Sequence, residues 1–440
     1  MLLVPVGAIL PNVYAKNTAV SLAAIGMVMV VTRVFDAISD QLVGYYSDLT
    51  HSRLGARLPW MIVGVPFLMI SAYYLFSPPG DAGVAYFATW SLLFYLAYTI
   101  IFIPYLAWGS ELSGDYNERS RIFAWHGVAS QVGGFFLFGA PVLLFALGMA
   151  DTTEFGAQQM RIVGLVAVLV LPLLMVFTVL RGPKARVTTR KTPDFRGLLE
   201  TIRCNRPLQL FVLIYLISVI GHGAFGASII IFLDSYFGLG TKLPYIFICL
   251  AVVQILSVYP WTRVIYRYGK HKPWALSWVA SALILPLLMW VDPQGAQALW
   301  WVLAILLAQA FVEGLSNIAP GAVLADIVDY EILRSGADRA GNFYAFQNFV
   351  IKSAAALGAG LAFLMLDAFG YDVKDPSTND QWAHAGIFFT ALLFPAAMKL
   401  SSAALVWYFP IDARRQGIIR RRIESLANRD ERDRQMAKAS

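Results

Sequence analysis

The sequence predicts an all-α polytopic membrane protein, and three observations carry that prediction. Of the 440 residues, 58% are hydrophobic and 14% charged, with a mean hydropathy of +0.62; a soluble domain carries about a quarter charged residues. Apolar blocks of about twenty residues recur along the whole chain, the length an α-helix needs to cross the hydrocarbon core. Their period gives no hint of the alternation that marks barrel strands.

The first element, MLLVPVGAILPNVYA, offers only about 15 residues and contains two prolines. It has neither the basic n-region nor the small-residue cleavage site of a signal peptide. It reads as the second half of a first transmembrane helix whose start is missing from this chain, or as a genuinely short helix. Apolar blocks follow at 18–46, 59–78, 83–112, 122–150, 161–180, 207–233, 243–262, 273–291, 299–325, 343–368 and 385–410. The count is twelve helices with a truncated first one. The longest polar stretch between them, RGPKARVTTRKTPDFRGLLETIRCN, divides the chain into a bundle over 1–180, a basic loop over 181–206, a second bundle over 207–411 and a basic tail over 412–440.

The two bundles repeat a turn. GARLPW at 55–60 follows the second helix and GKHKPW at 269–274 follows the eighth, 214 residues later. Each places Gly at a tight reversal and Pro at the first turn of the next helix. Two six-helix bundles joined by a basic loop is the plan of the major facilitator fold, in which the halves rock about a central site.

Charge sets the orientation. Of the 34 Lys and Arg, 27 fall in connections that share one side with the central loop and the tail, against Lys16, Arg161, Lys242 and Lys374 on the other. Positive residues stay cytoplasmic, so the C-terminus is expected inside, in a plasma membrane, most simply a bacterial inner membrane. The net charge of +7 is explained by this bias or by contact of RRQGIIRRR with anionic headgroups. The lipid bilayer is thus a partner and nucleic acid is not. Cys204 and Cys249 lie in different environments, with neither disulfide geometry nor metal-ligand company expected.

The strongest functional signal is RVFDAISD. Asp36 and Asp40 are four residues apart in the 18–46 block, so a helix turns both carboxylates to one face, with Arg33 a turn before and Ser39 beside them. Carboxylates at membrane depth are costly unless paired, hydrated or protonated, and they face a bundle interior or cavity. The pair is an oxygen site for a hard cation such as Na⁺. The bland alternative is a structural Arg33–Asp36 ion pair, which leaves Asp40 in need of a partner. Lys352 lies about ten residues into the eleventh helix, too deep for a simple snorkelling lysine. It can neutralise a carboxylate when the cation is away, so proton coupling stays open beside Na⁺.

RVFDAISDQLVGYYSD with SRLGARLPW, and ADIVDYEILRSGADRAGNFYAFQNFVIK, resemble the second and eleventh helices, with their flanking loops, of the glycoside-pentoside-hexuronide:cation symporters, the family of melibiose permease. The similarity runs through most of the chain from about residue 17. The resemblance implies cation-coupled symport of a sugar or glycoside, with Asp36, Ser39, Asp40 and Thr99 at the cation, which is a Na⁺ site at Asp36 and Asp40 or a proton site. Lys352 and Arg33 would balance charge. It also implies a substrate cavity lined by Phe102, Tyr105, His126, Gln347, Asn348 and Lys352. Melibiose permease has Asn where Ser39 stands and a sugar-holding Asp where Phe102 stands; His126 replaces the family Arg on the fifth helix, and the acidic residue of the first helix would precede Met1. Sites that recognise hydroxyls need such buried bonding groups. A glycoside stacked on the rings of Tyr98, Phe102, Tyr105 and Trp125, or a more amphipathic solute such as a lysolipid, which eukaryotic relatives move, fits this change.

The ends of the helices on the basic side supply a gate. Asp48, Arg53, Arg57, Asp115, Arg119, Asp326, Asp329 and Arg339 are placed to pair across the halves when the protein faces outward. Glu313, His126 and His222 are further ionisable groups within spans, and Lys399 in the twelfth helix has no evident role. No metal triad, phosphate loop or nucleophile elbow indicates an enzyme, and two carboxylates on one helix face cannot flank a scissile glycosidic bond. No cofactor beyond a coupling ion is implied. The expected partner is a small glycoside or sugar acid, and the expected state is a monomer. A membrane sensor that binds without transporting is the remaining class.

Overall fold

The computed structural model describes residues 5–50, 52, 54–112, 116–182, 205–335, 340–411, 414–419, 421–422 and 425. A π turn, Pro5–Ile9, leads into α1 (Leu10–Asn17). Then follow α2 (Leu22–Leu49), α3 (Leu58–Phe76), α4 (Val84–Glu111), α5 (Tyr116–Ala146), α6 (Ala157–Arg181), α7 (Arg206–Ile231), α8 (Leu243–Tyr268) and α9 (His271–Ile284). The tenth rod is broken into α10 (Ala298–Glu313) and α11 (Ala319–Ser335), the eleventh is α12 (Ala340–Ala368), and the twelfth is α13 (Gln381–Phe388) continued by α14 (Phe394–Trp407). Ten of these rods are long and apolar enough to cross a membrane. With α5, whose apolar part is Val132–Ala146, and the short α1, the expected twelve are present, and no strand occurs among the described residues.

Local chemistry explains the helix ends. Ser21, Asn205 and Asp380 cap α2, α7 and α13, each side chain accepting from the backbone N–H three residues on. Proline opens α3, α7, α8 and α14 at the first turn, where no amide hydrogen is needed. The repeated turn is real in the backbone: Gly55 and Gly269 adopt φ of 92° and 83°, a region that costs a glycine little. The tenth rod is longer than the expected 299–325 block, running to Ser335 through a 3₁₀ turn at Gly314–Asn317. Gly314 is required there, because a Cβ would lie 1.7 Å from Ser257 Oγ of α8.

The two six-helix bundles pack differently at their two ends. At the end carrying the α1–α2, α5–α6, α7–α8 and α12–α13 connections, one buried core, including Tyr14, Phe76, Phe94, Phe232 and Phe363, spans both bundles. There α2 meets α12 so closely that a Cβ on Gly26 would lie 2.7 Å from the Gly360 carbonyl, and Phe138 of α5 sits 5.3 Å from Phe247 of α8, ring to ring. Polar links cross the same boundary. Lys16 pairs with Asp234, the Lys374 ammonium donates to the Thr18 carbonyl at 2.6 Å, Thr153 Oγ1 donates to the Thr241 carbonyl at 2.5 Å, and the Ala23 amide donates to Asp367 at 3.2 Å. At the basic end the second bundle builds its own core around Trp274 and Phe211; among the described residues no buried cluster joins it to the first. The described contacts thus tie the two bundles at the end opposite the basic one, the closed end.

Candidate functional site: a carboxylate pair at the bundle interface

Halfway along α2, Asp36 and Asp40 project from the same face, as their spacing requires. Asp36 is 4% exposed. The partner helix α4 brings the fully buried Thr99 between them: its Oγ1 lies 3.0 Å from Asp36 Oδ1 and 2.9 Å from Asp40 Oδ1. A threonine hydroxyl has one proton to donate. It satisfies one carboxylate by donating, and the other contact is satisfied when that oxygen carries a proton or when a cation lies between the three oxygens. The oxygens Asp36 Oδ1, Asp40 Oδ1 and Thr99 Oγ1 thus fit a hard monovalent cation or a proton.

Both carboxylates have a basic neighbour. Arg33 Nη1 is 3.5 Å from Asp36 Oδ2. Its other nitrogen donates to the Tyr95 hydroxyl at 2.8 Å, with the guanidinium 4.3 Å over that ring. Lys352 Nζ reaches from α12, in the opposite bundle, to Asp40 Oδ2 at 3.0 Å, and lies 5.3 Å from the centre of the Phe102 ring. The site is therefore charge-balanced, two against two, and a cation that enters competes with an ammonium or guanidinium already in place. The three groups share a level. Counted from the closed end, Asp36, Thr99 and Lys352 lie 14 to 16 residues along α2, α4 and α12, or roughly 21–24 Å at 1.5 Å per residue.

Ser39 is buried, but its hydroxyl donates to the Asp36 backbone carbonyl at 3.0 Å, the ordinary satisfaction of a mid-helix serine, so its proton is spent within α2. Phe102 stacks on Tyr98 at 5.1 Å and forms the floor under Lys352. Tyr105 and His126 lie together toward the basic end, rings 5.6 Å apart. Gln347 and Asn348 stand one turn before Lys352 on α12; Asn348 is exposed, while Gln347 bonds the Tyr215 hydroxyl beside an apolar cleft between α7 and α12. The Trp125 side chain lies outside the description.

Of the gate residues, Arg53, Asp115 and Arg339 and the side chains of Asp48 and Arg119 lie outside the described residues. Arg57 donates to Ser47 at 2.8 Å. Asp326 pairs with Lys270 at 2.7 Å, and Asp329 accepts from Gln416 at 2.7 Å. These two aspartates bond within their own half and the segment that follows it. The four links at the closed end were not foreseen from the sequence, nor was Tyr95. The partner of Lys399 was likewise missed: it pairs with Glu313, and two opposite, uncompensated charges in neighbouring spans were the available signal.

Twelve helices in two bundles, tied at one end by a shared core, with an ionisable pair at mid-membrane where the bundles meet, define a polytopic secondary transporter of the major facilitator type. The chain belongs to the MFS/sugar transport protein family, whose model matches residues 1–413, in keeping with its resemblance to the glycoside-pentoside-hexuronide:cation symporters. It is 24% identical over 412 residues to a glucuronide carrier protein homolog of Escherichia coli (strain K12), covering 90% of this chain and 86% of that one. It is 22% identical over 442 residues to a sodium-dependent lysophosphatidylcholine symporter of Xenopus tropicalis, covering 90% and 82%. Among solved structures, the nucleoside transporter NupG superposes with a TM-score of 0.63 at 13% identity, covering 92% of this chain and 95% of the other. That likeness concerns the fold.

Proposed function

We propose that this protein couples the entry of a glycoside-type solute to the inward movement of Na⁺ or H⁺. The observation that carries the reading is the Thr99 hydroxyl set between Asp36 and Asp40, with Lys352 reaching Asp40 from the opposite bundle at 3.0 Å. A cation that neutralises the carboxylates releases Lys352, and with it one tie between the halves. Binding the ion and freeing the halves to rock then become one event. The ion shifts the equilibrium only by its differential affinity for the two states, which the competing ammonium supplies.

The basic end is read as cytoplasmic by the distribution of Lys and Arg. On that reading the end at which the bundles are tied is the outer one, and the tail lies inside. Phe102, Tyr98 and Tyr105 offer ring faces on which a pyranose or a nitrophenyl aglycone stacks. The test is uptake in proteoliposomes of labelled glycosides, hexuronates and lysophosphatidylcholine under imposed Na⁺ or H⁺ gradients. Glycoside accumulation driven by either gradient supports the reading. Accumulation of the lysolipid alone would move the substrate class to amphipathic solutes, and transport indifferent to both gradients would remove the coupling.

A further inference from the structure

A second polar cluster lies wholly inside the second bundle. Lys399 of α14 pairs with Glu313 Oε1 and donates to Ser281 Oγ of α9 at 2.6 Å. Ser281 Oγ donates to the same Glu313 Oε1 at 2.9 Å, and the Gln309 amide lies 2.6 Å from Ser281 Oγ. Lys399, Ser281 and Gln309 are all buried. Both bonds to the carboxylate, from Lys399 and Ser281, reach Oε1, and among the described residues Glu313 Oε2 has no hydrogen-bond partner.

His222 of α7 lies within electrostatic reach of Glu313 and Lys399. Its side chain is exposed and has no hydrogen-bond partner among the described residues. Glu313 Oε2 is not a buried unpaired atom and the His222 side chain is exposed, so both reach accessible space, where a solute can meet them without breaking a bond already made. One carboxylate oxygen is clamped, and the other is open within electrostatic reach of the imidazole.

Depth relates this cluster to the carboxylate pair. Counted from the closed end, His222 lies 14 residues back from Tyr236, where the π turn that ends the α7 rod stops, and Glu313 lies 15 residues along α10. That is the level of Asp36, Thr99 and Lys352. Glu313 is also the last residue before the break in the tenth rod, and in transporters broken helices near the midplane are where substrate sites form.

We propose that His222 and Glu313 form a hydroxyl-recognition subsite for the transported solute on the second bundle, with Lys399, Ser281 and Gln309 as positioning residues that hold the carboxylate. An anionic acceptor next to an imidazole that can donate or accept suits two neighbouring hydroxyls of a sugar ring and disfavours a carboxylate at that position. The division of labour follows: ring faces of Phe102 and Tyr98 on the first bundle, polar groups on the second. This rests on the glycoside reading above and adds which half reads the hydroxyls.

The experiment is counterflow of methyl and nitrophenyl glycosides in proteoliposomes without an ion gradient. The variants are His222→Ala, His222→Gln and the paired Glu313→Gln with Lys399→Met, which leaves no unmatched charge. The subsite requires that His222→Ala and the pair raise KM by about tenfold or more, with the maximal rate changed by less than about twofold, since each removes bonding groups. It further requires that His222→Gln recovers part of the loss. A deoxy analogue of the transported glycoside that lacks the bonded hydroxyl should lose affinity in the native protein and lose no more in His222→Ala. A native protein that equilibrates a glycoside while both variants keep its KM would overturn the subsite and leave the glycoside reading standing. A native protein that equilibrates none of the glycosides overturns that reading and the subsite with it.

Discussion

Two ion pairs at similar depth obey opposite rules. Asp40–Lys352 joins α2 to α12 and therefore joins the two halves, whereas Glu313–Lys399 joins α10 to α14 within one half. When the halves rock, the first pair must break or stretch and the second travels as part of a rigid body. Equal chemistry thus does unequal work: an ion pair across a moving boundary reports and controls conformation, and one inside a bundle can only shape and hold.

The comparison can be broken most severely at Asp40. Asp40→Asn removes one of the two carboxylates and the cross-bundle partner of Lys352, so gradient-driven accumulation should fall by about a hundredfold or more, while gradient-free counterflow persists. Loss of both activities together would mean that Asp40 holds the fold rather than the ion. Next in size is Lys399→Met alone, which strands Glu313 in a buried setting. Breaking one side of such a pair costs about 3–5 kcal/mol, to be read as a lowered midpoint of thermal unfolding in detergent, largely restored by adding Glu313→Gln. A midpoint that stays put in the single variant would show that the pair is hydrated and the contrast drawn above is false.

Smaller effects come from the closed end. Gly26→Val places a side chain where even a Cβ meets the Gly360 carbonyl at 2.7 Å. Overpacking of this kind costs about 1–3 kcal/mol, but only in the conformation that closes this end. Spin-label distances across the α1–α2 and α7–α8 connections should therefore lengthen, with no loss of folded protein. Smallest is Lys16→Ala. Its bridge to Asp234 is partly exposed, with side-chain accessibilities of 30% and 16%, and such pairs contribute up to about 1 kcal/mol. The population open at that end should rise by up to about fivefold, and the reversed pair Lys16→Asp with Asp234→Lys should return it.

Much of this was legible in the sequence, and the reasons differ by residue. The twelve rods follow from apolar length, the repeated turn from Gly55 and Gly269, and the candidate cation site from i,i+4 spacing, because each depends on neighbours along the chain. Thr99 came only through resemblance and so did the convergence of Lys352 on the pair, since nothing local says that α4 and α12 converge on α2, although the depth of Lys352 in its helix already marked it as functional. Glu313 and Lys399 sit 86 residues apart and could have been matched by charge alone. The gate was sought at the basic end, where charges cluster, and most of its residues lie outside the described ones; the links described between the halves lie at the other end. A chain that alternates between two conformations encodes contacts for both, and one conformation displays only half of them. Ser39 gives its proton to the helix backbone, which leaves its oxygen lone pairs available.

The shared level of Asp36, Thr99 and Lys352 has an electrical consequence. Asp36 stands 14 residues into the 28 residues of α2, so a charge held there with both ends closed around it sits about halfway through the membrane's field. At about 2.3 kcal/mol per elementary charge per 100 mV for the full drop, the affinity of the site for a monovalent ion shifts by roughly 1 kcal/mol per 100 mV, or about fivefold. If the pair takes a cation as proposed above, its occupancy becomes a function of voltage as well as of concentration.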